Sequence, residues 1–539
     1  MLSFRIQQAD DVLCESDYFN KIKKKILMKI KHKYFHKTTI LSVMVCFLMS
    51  GCDKGFDELN VNKTAATSIN SVFTLNNATI NTSFPAGTIL YEIGIVQQMV
   101  SPNSGVLAGA NFNQDIRENT QQNWQRYYRS VIRNTYDVIS TTKNLPTRSN
   151  LYNMARILQS YSFLVLTDTY GDIPYSEAGK GYTDQLIFPK YDAQQTVYAG
   201  IIKELTEATA ALDASKTIET ADVLYGGNVS LWKKFGNSVL LRAGMRLTKI
   251  DVAQAQSIVQ KAFQTGIMEV NSDNAFIKHD ANYLNALGQI LNSTEANNIY
   301  LGAPFVTFLQ QTNDPRLKSI ALRYVGAKSG NEQTITRATT DPTQQIGMPF
   351  GFDNGSIGTE VTKSKLASFY DYSQVDRTRM AKTTSPMFLV TAAQTQLLLA
   401  EAAQRGWIMG TTAETFFNKG VKLHMEQMAL YDANSAVSAT AIDTYQKANP
   451  YNAGTALEQI NTQYWVASFL NGPEAFANFR RSGFPNLAPN PFPGKSIKGT
   501  FIRRLTYPNS EISVNSLSVK EAIARMGGDD LDTKVWWDK

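Results

Sequence analysis

Cysteine is nearly absent from this chain: three residues in 539, at Cys14, Cys46 and Cys52. Beyond residue 52 no disulfide can form within the chain, and zinc cannot be held by thiolates. Histidine is almost as scarce, and only His279 and His424 lie past that point, too few for a histidine-rich metal centre. No later apolar run approaches the roughly 20 residues of a membrane-spanning helix. A G-x-S-x-G elbow, a P-loop, an H-E-x-x-H pair and an EF-hand loop are all missing, so the commonest hydrolase, nucleotide, zinc-protease and calcium signatures are excluded. An excess of one charge is lacking too. The formal net charge is +7, but residues 1–51 hold nine Lys/Arg and four Asp/Glu, leaving 44 against 42 in the remainder. A near-neutral body without blocks of like charge argues against nucleic acid as a partner.

What is present starts at Met28. Lys29, Lys31, Lys33 and Lys37 precede twelve mostly apolar residues, Thr38 to Met49, and then Ser50-Gly51-Cys52. A basic start, a short apolar run and a small-residue cut site are the parts of a secretory signal. A Cys directly after the small pair resembles a bacterial lipobox, with Met49 where Leu is usual. Cys52 is then acylated and becomes the mature N-terminus, and more than one acyl chain gives stable anchoring. A leader of ordinary length begins at Met28, so residues 1–27 read as an overcalled start and 1–51 stand outside the fold. The mature chain, 52–539, is expected to be a single domain with a large core.

After a polar tether (Asp53 to Thr67) the dominant signal is helical periodicity. Trp124, Tyr128, Val131, Thr135 and Val138 recur on one helix face. Leu151, Met154, Ala155 and Leu158 open the next helix behind Ser149 as N-cap. Val197, Ile201, Leu205, Ala208 and Leu212 mark a third, and Leu231, Phe235, Val239 and Met245 a fourth, capped by Ser230. Thr391/Gln394, Thr411/Glu414, Thr455/Glu458 and Ser518/Glu521 have capping-box spacing. Gly406, Asn471-Gly472 and Gly527-Gly528 supply expected stops. The segment 266–384 is different, being rich in Asn, Gly, Thr and Pro with weak periodicity. The expected fold class is mostly α: a tetratricopeptide-like helix-pair scaffold with an irregular, loop-rich cap and a few short strands.

Four stretches resemble one family. They are Leu166–Ala178 (LTDTYGDIPYSEA); Trp232–Ser238 (WKKFGNS) running into Leu241–Leu247 (LRAGMRL); Leu398–Trp407 (LLAEAAQRGW); and Asn471–Glu474, Arg480–Gly483, Arg503–Pro508 and Val535–Asp538 (NGPE, RRSG, RRLTYP, VWWD). In this order behind a lipobox, the chain resembles the SusD/RagB family of outer-membrane nutrient-binding lipoproteins, in its SusD-like branch. The resemblance implies a surface lipoprotein that acts as a lid on a SusC-like TonB-dependent transporter. Such lids capture oligosaccharide, or in some members peptide; for this chain no cofactor or metal is expected.

The hallmark segments read as scaffold. Glu401 is expected to pair between helices, Arg480 and Arg481 to meet carboxylates, and Trp536-Trp537 to pack the tail. Sugar recognition needs flat aromatic faces beside planar polar groups. Two irregular stretches offer both. Asn103 to Trp124 includes Asn103, Asn111, Asn113, Asp115 and Trp124; Asn282 to Tyr300 includes Tyr283, Asn297, Asn298 and Tyr300. Phe350 to Asn354 with Tyr370 and Tyr372 is a weaker third. His279 is expected as an exposed loop residue and His424 as a packed one. The chain is read as a non-enzymatic binder. The alternatives are a glycoside hydrolase, which needs only two suitably spaced carboxylates, and a structural surface protein such as an adhesin subunit.

Overall fold

The periodic apolar positions form helices. The computed structural model describes residues 69–103, 106–181, 183–293 and 298–539, and the leader, Cys52 and Asn297 lie outside them. The first half runs α1 (Ser71–Ile80), α2 (Ala86–Ile95), β1 (Met99–Val100), α3 (Val106–Asn111), α4 (Arg117–Arg126), α5 (Arg133–Thr142), α6 (Ser149–Tyr170), α7 (Gln194–Ala211), α8 (Val229–Arg246) and α9 (Val252–Gln264). Between α4 and α5 the chain widens into a π-helix, Tyr127–Ile132. Trp124, Val131, Thr135 and Val138 stay buried as their spacing predicts. The wider turn also carries Tyr127 inward and leaves Tyr128 half-buried.

Helix α6 is buried nearly all round, which makes it the centre of the scaffold. It stops at Gly171, whose φ of +85° suits a residue without a Cβ. Successive helices stack: α5 on α6, α6 on α7, α7 on α8 and α8 on α9.

The segment that follows holds short elements: β2 (Ala275–Ile277), α10 (Ala286–Leu291), β3 (Tyr300–Leu301), α11 (Ala303–Gln311), α12 (Arg316–Ile320), β4 (Ala321–Tyr324), β5 (Ala338–Thr339), α13 (Ile357–Lys363), β6 (Gln374–Val375) and β7 (Met387–Val390). They make three small antiparallel sheets, β1–β3, β2–β7 and β5–β4–β6. A satellite core of Val100, Tyr300, Met348, Phe350, Ile357 and Tyr372 sits beneath the loops.

The scaffold resumes with α14 (Ala392–Gln404), α15 (Ala413–Tyr431), α16 (Ala439–Ala448), α17 (Ala456–Ala467), α18 (Gly472–Ser482), α19 (Asn509–Val514) and α20 (Ser516–Met526). Helix α14 packs on α15 and α17, and α18 packs on α2. The architecture is thus mostly helical, a helix-pair scaffold with a few short strands. Among the described residues no helix is long and apolar enough to cross a membrane.

The helix ends correct several expectations. Thr391 and Gln394 form the full capping box, and Gly527 closes α20 in the left-handed region. Asn228, not Ser230, caps α8, and Thr412, not Thr411, caps α15. Ser149 lies inside α6, and neither Thr455 nor Ser518 makes a side-chain cap. Asn471-Gly472 is a start rather than a stop. The Asn471 side chain accepts from the Glu474 N–H, and Pro473 stands in the first turn. A Cβ on Gly472 would lie 2.5 Å from the Ile89 carbonyl oxygen, so only glycine lets α18 approach α2 this closely.

Candidate functional site

The segments that carry the resemblance converge inside the protein. Arg246, at the end of α8, lies 3.1 Å from Asp168 at the end of α6 and 2.8 Å from Glu474 at the start of α18. Arg242 adds a 3.2 Å contact to Glu474. Trp537 Nε1 donates to Asp168 at 2.9 Å, and Tyr464 donates to Glu474 at 2.7 Å. A second cluster centres on Glu401, whose two oxygens accept from Arg481 at 2.8 and 2.7 Å while Arg405 adds 2.8 Å. Burial alone would raise the Glu401 carboxyl, but Arg481 and Arg405 outweigh it and hold the group at about 2. Glu401, Arg481 and Trp537 are therefore structural.

Arg480 departs from expectation. It meets no carboxylate and instead donates to the carbonyls of Asp168 and Arg503 at 2.7 and 2.8 Å. Its guanidinium stacks over Phe476 and Trp537, and burial lowers its pKa to about 10.

His279 is buried rather than exposed. One ring nitrogen meets Ser83 Oγ at 3.0 Å, the other meets the Tyr283 carbonyl at 2.9 Å, and burial pushes its pKa down. With Ser83 only 1 % exposed, this Ser–His contact has no room for a substrate. His424 is packed as expected, held neutral by burial and by Arg316 at 2.8 Å.

The residues proposed from sequence for the ligand are mostly taken up by the fold. Tyr300 is fully buried in the satellite core, so it presents no face. Trp124 is 3 % exposed and packs in a ring cluster with Tyr128, Tyr170, Tyr191 and Tyr507. Asn113 is buried with a φ of +51°, and its carbonyl accepts from the Ser496 N–H. Asp115 is held by Arg117 at 3.0 Å and Thr506 at 2.8 Å. The Tyr283 hydroxyl donates to the Ile80 carbonyl while its ring stacks on His279. Asn103 and Asn298 are half-buried. Asn111 ties the first stretch to the third, donating to the carbonyls of Ser101 and Phe352.

A different group of residues forms a cleft of about 470 Å³ between α11, α15, α16, α17 and the loop after α18. The half-buried Phe308 and Leu487 supply the apolar wall, and the buried Trp465, Pro485, Phe417 and Tyr445 back it from behind. Helix α11 places Phe305 and Leu309 in the core and turns the half-buried Phe308 and the exposed Gln311 outward. Trp465 is fixed by its Nε1 donating to the Val96 carbonyl and by edge contacts with Phe305 and Phe308. Gln463 and Gln459 hydrogen-bond within the protein. The side chains of Gln311, Glu458 and Asn486 stand at the cleft without such partners, and the Asn449 amide nitrogen is anchored on Thr312 and Tyr445. Rigid aromatic wall beside uncommitted planar polar groups suits the apolar faces and hydroxyls of a sugar. Among the described residues no group of three His, Cys, Asp or Glu could hold a metal ion.

Sequence reasoning missed this cleft because its residues come from five separate segments. One local signal existed: Phe308 sits three residues from Phe305 and Gln311, an aromatic facing outward on an otherwise amphipathic helix.

No curated protein matches the chain. Among solved structures it is similar to a chitin-binding protein at 31% identity, covering 87% of this chain and 100% of that one with a TM-score of 0.77. It is similar at 26% identity to a protein described as Bacteroidetes AC2a SusD-like, covering 87% and 100% with a TM-score of 0.76. A chitin-binding SusD homolog from Flavobacterium johnsoniae matches at 25% identity over 87% of this chain and 98% of that one, with a TM-score of 0.70. The SusD-like family model, described as starch-binding associating with outer membrane, matches residues 61–508. The chain belongs to the SusD-like family.

Proposed function

We propose that this protein captures oligosaccharide at the bacterial surface and passes it, chemically unaltered, to a SusC-like TonB-dependent transporter in the outer membrane. The observation that carries the reading is the cleft: the half-buried Phe308 as apolar wall, backed by the buried Trp465, with the side chains of Gln311, Glu458 and Asn486 uncommitted beside it. Membership of a family described as starch-binding, and similarity to two proteins described as chitin-binding, support a neutral glycan over a peptide. Glu458 is the one carboxylate among the cleft's lining residues, whereas glycoside hydrolysis uses a pair, so the site is arranged to hold rather than to cut.

Cys52 is the proposed lipid anchor. Cys52→Ala should leave folding intact and move the protein from the membrane to the soluble fraction; a variant that stays membrane-bound would refute the anchor. The transporter partnership is tested by isolating the tagged wild-type protein from outer membranes in mild detergent. Co-isolation of a TonB-dependent barrel, in stoichiometric amount and lost from control membranes, is expected. Isolation of the protein alone would count against delivery.

A further inference from the structure

A second concavity, of about 590 Å³, lies between α7, the end of α8, the start of α9 and the C-terminal tail. It shares no lining residue with the cleft described above. Its composition is polar around one large ring. Trp536 is half-buried, fixed by its backbone N–H donating to Gln194 at 2.7 Å and by packing against Tyr198 at 5.8 Å. Tyr198 hydrogen-bonds to Asp168, so the ring behind Trp536 rests directly on the buried ionic framework. Around the ring stand Gln195, Lys249, Asp251 and Gln254, all exposed. The side chains of Gln195 and Gln254 have no hydrogen-bond partner in the protein. Asp251 uses one carboxylate oxygen to cap α9 through the Gln254 N–H at 2.9 Å, leaving the other open. Lys249 is steadied by the Arg480 carbonyl at 3.2 Å and has no carboxylate within ion-pair distance. Although the side chain as a whole is exposed, partial desolvation of its ammonium lowers the pKa, with Arg503, Arg481 and Lys534 acting in the same sense and Asp538 against them.

From this geometry we infer that the Trp536 concavity is a second saccharide-binding site, taking a neutral hexose unit with the indole as platform and Gln195, Gln254, Asp251 and Lys249 as hydroxyl partners. The chemistry is that of the first cleft with a different balance. An indole face accepts the C–H surface of a pyranose ring, and two amides, a carboxylate oxygen and an ammonium offer both donors and acceptors to its hydroxyls. Asp251 offsets Lys249, and Lys539 of the tail adds a further ammonium at the edge of the site.

This inference rests on the glycan-binding reading, and the experiment separates the two. Maltohexaose and chitohexaose are titrated against the full chain in detergent by equilibrium dialysis, counting equivalents bound per chain. The variants are Phe308→Ala, Trp536→Ala and the double exposed-surface variant Gln195→Ala/Gln254→Ala. The expected result is two equivalents for the wild type with at least one of the two glycans. Each group of variants should lose one, with affinity at the affected site falling by about tenfold or more. The double variant keeps the test sound should Trp536→Ala destabilise the tail. A single equivalent, abolished by Phe308→Ala and untouched by the Trp536 and glutamine variants, would overturn the second site and leave the first. No binding of either glycan by the wild type would overturn both.

Discussion

The buried framework and the open cleft use the same kinds of side chain to opposite ends. In the framework Arg246, Asp168, Glu474, Arg481 and Glu401 are each 5 % exposed or less, and their hydrogen bonds run between elements distant in sequence. At the cleft Gln311, Glu458 and Asn486 bond to nothing in the protein. A polar group whose partners are already supplied by the fold stabilises the fold, and one left without partners at an aromatic wall is available to a ligand. The distinction depends on partners, not on residue type.

The sharpest way to break the framework is Glu474→Ala, which strands Arg242 without a carboxylate and leaves Arg246 with Asp168 alone. Removing one member of a buried pair costs about 3–5 kcal/mol, and urea denaturation should show a loss of this size with glycan affinity unchanged wherever the protein remains folded. A smaller loss would mean that solvent reaches the guanidinium groups.

Two framework acids should show opposite dependence on pH. Glu92 is fully buried, and burial pushes its carboxyl up to about 8 against the pull of Arg480 and the Thr169 hydroxyl. Between the unfolded value of 4.5 and about 8 the unfolded chain loses this proton while the folded chain keeps it, so stability falls as pH rises. Glu92→Gln removes that slope, and its advantage over wild type should grow between pH 4.5 and 8, to a few kcal/mol at most. Glu401 is the mirror case. Its folded value of about 2 lies below the unfolded 4.5, so its contribution is full above 4.5 and is lost as pH falls toward 2. In Arg481→Ala the acid limb of the stability profile should flatten. A profile unchanged in both variants would show that these acids do not titrate with folding.

The cleft is the gentler target. Gln311→Ala removes one exposed hydrogen-bonding group, and a threefold to tenfold loss of glycan affinity, about 1 kcal/mol, is expected without any change in thermal unfolding. If Gln311→Ala shifted stability instead, the side chain would belong with the framework.

Much of the scaffold was legible in the sequence because helical spacing is a local signal. The Trp124–Val138 stripe and the Thr391/Gln394 box needed only neighbouring residues. The π-helix at Tyr127–Ile132 escaped because an extra residue per turn leaves the apolar spacing nearly intact. Asn471-Gly472 misled because Asn-Gly suits both a helix end and a helix start, and only Pro473 and the Glu474 N–H decide between them. The surroundings of the ligand candidates were not legible for another reason. Asn113, Asp115 and Tyr300 have the composition of a sugar site, but the loops that bear them fold onto Ser496, Thr506 and the satellite core. Whether a polar group finds a partner is a property of tertiary structure: Arg481, which pairs with Glu401, lies 80 residues from it, and Glu474, which pairs with Arg246, lies 228 residues from it.

The central claim, that the cleft around Phe308 and Trp465 holds an uncut glycan, is tested most directly by calorimetric titration of the purified wild-type and Phe308→Ala proteins with malto- and chito-oligosaccharides. The account predicts saturable binding of at least one series by the wild type, with the equivalent held at the Phe308 cleft at least tenfold weaker in the variant and no reducing sugar released. Equal binding by both proteins, or release of reducing sugar during the titration, would contradict it.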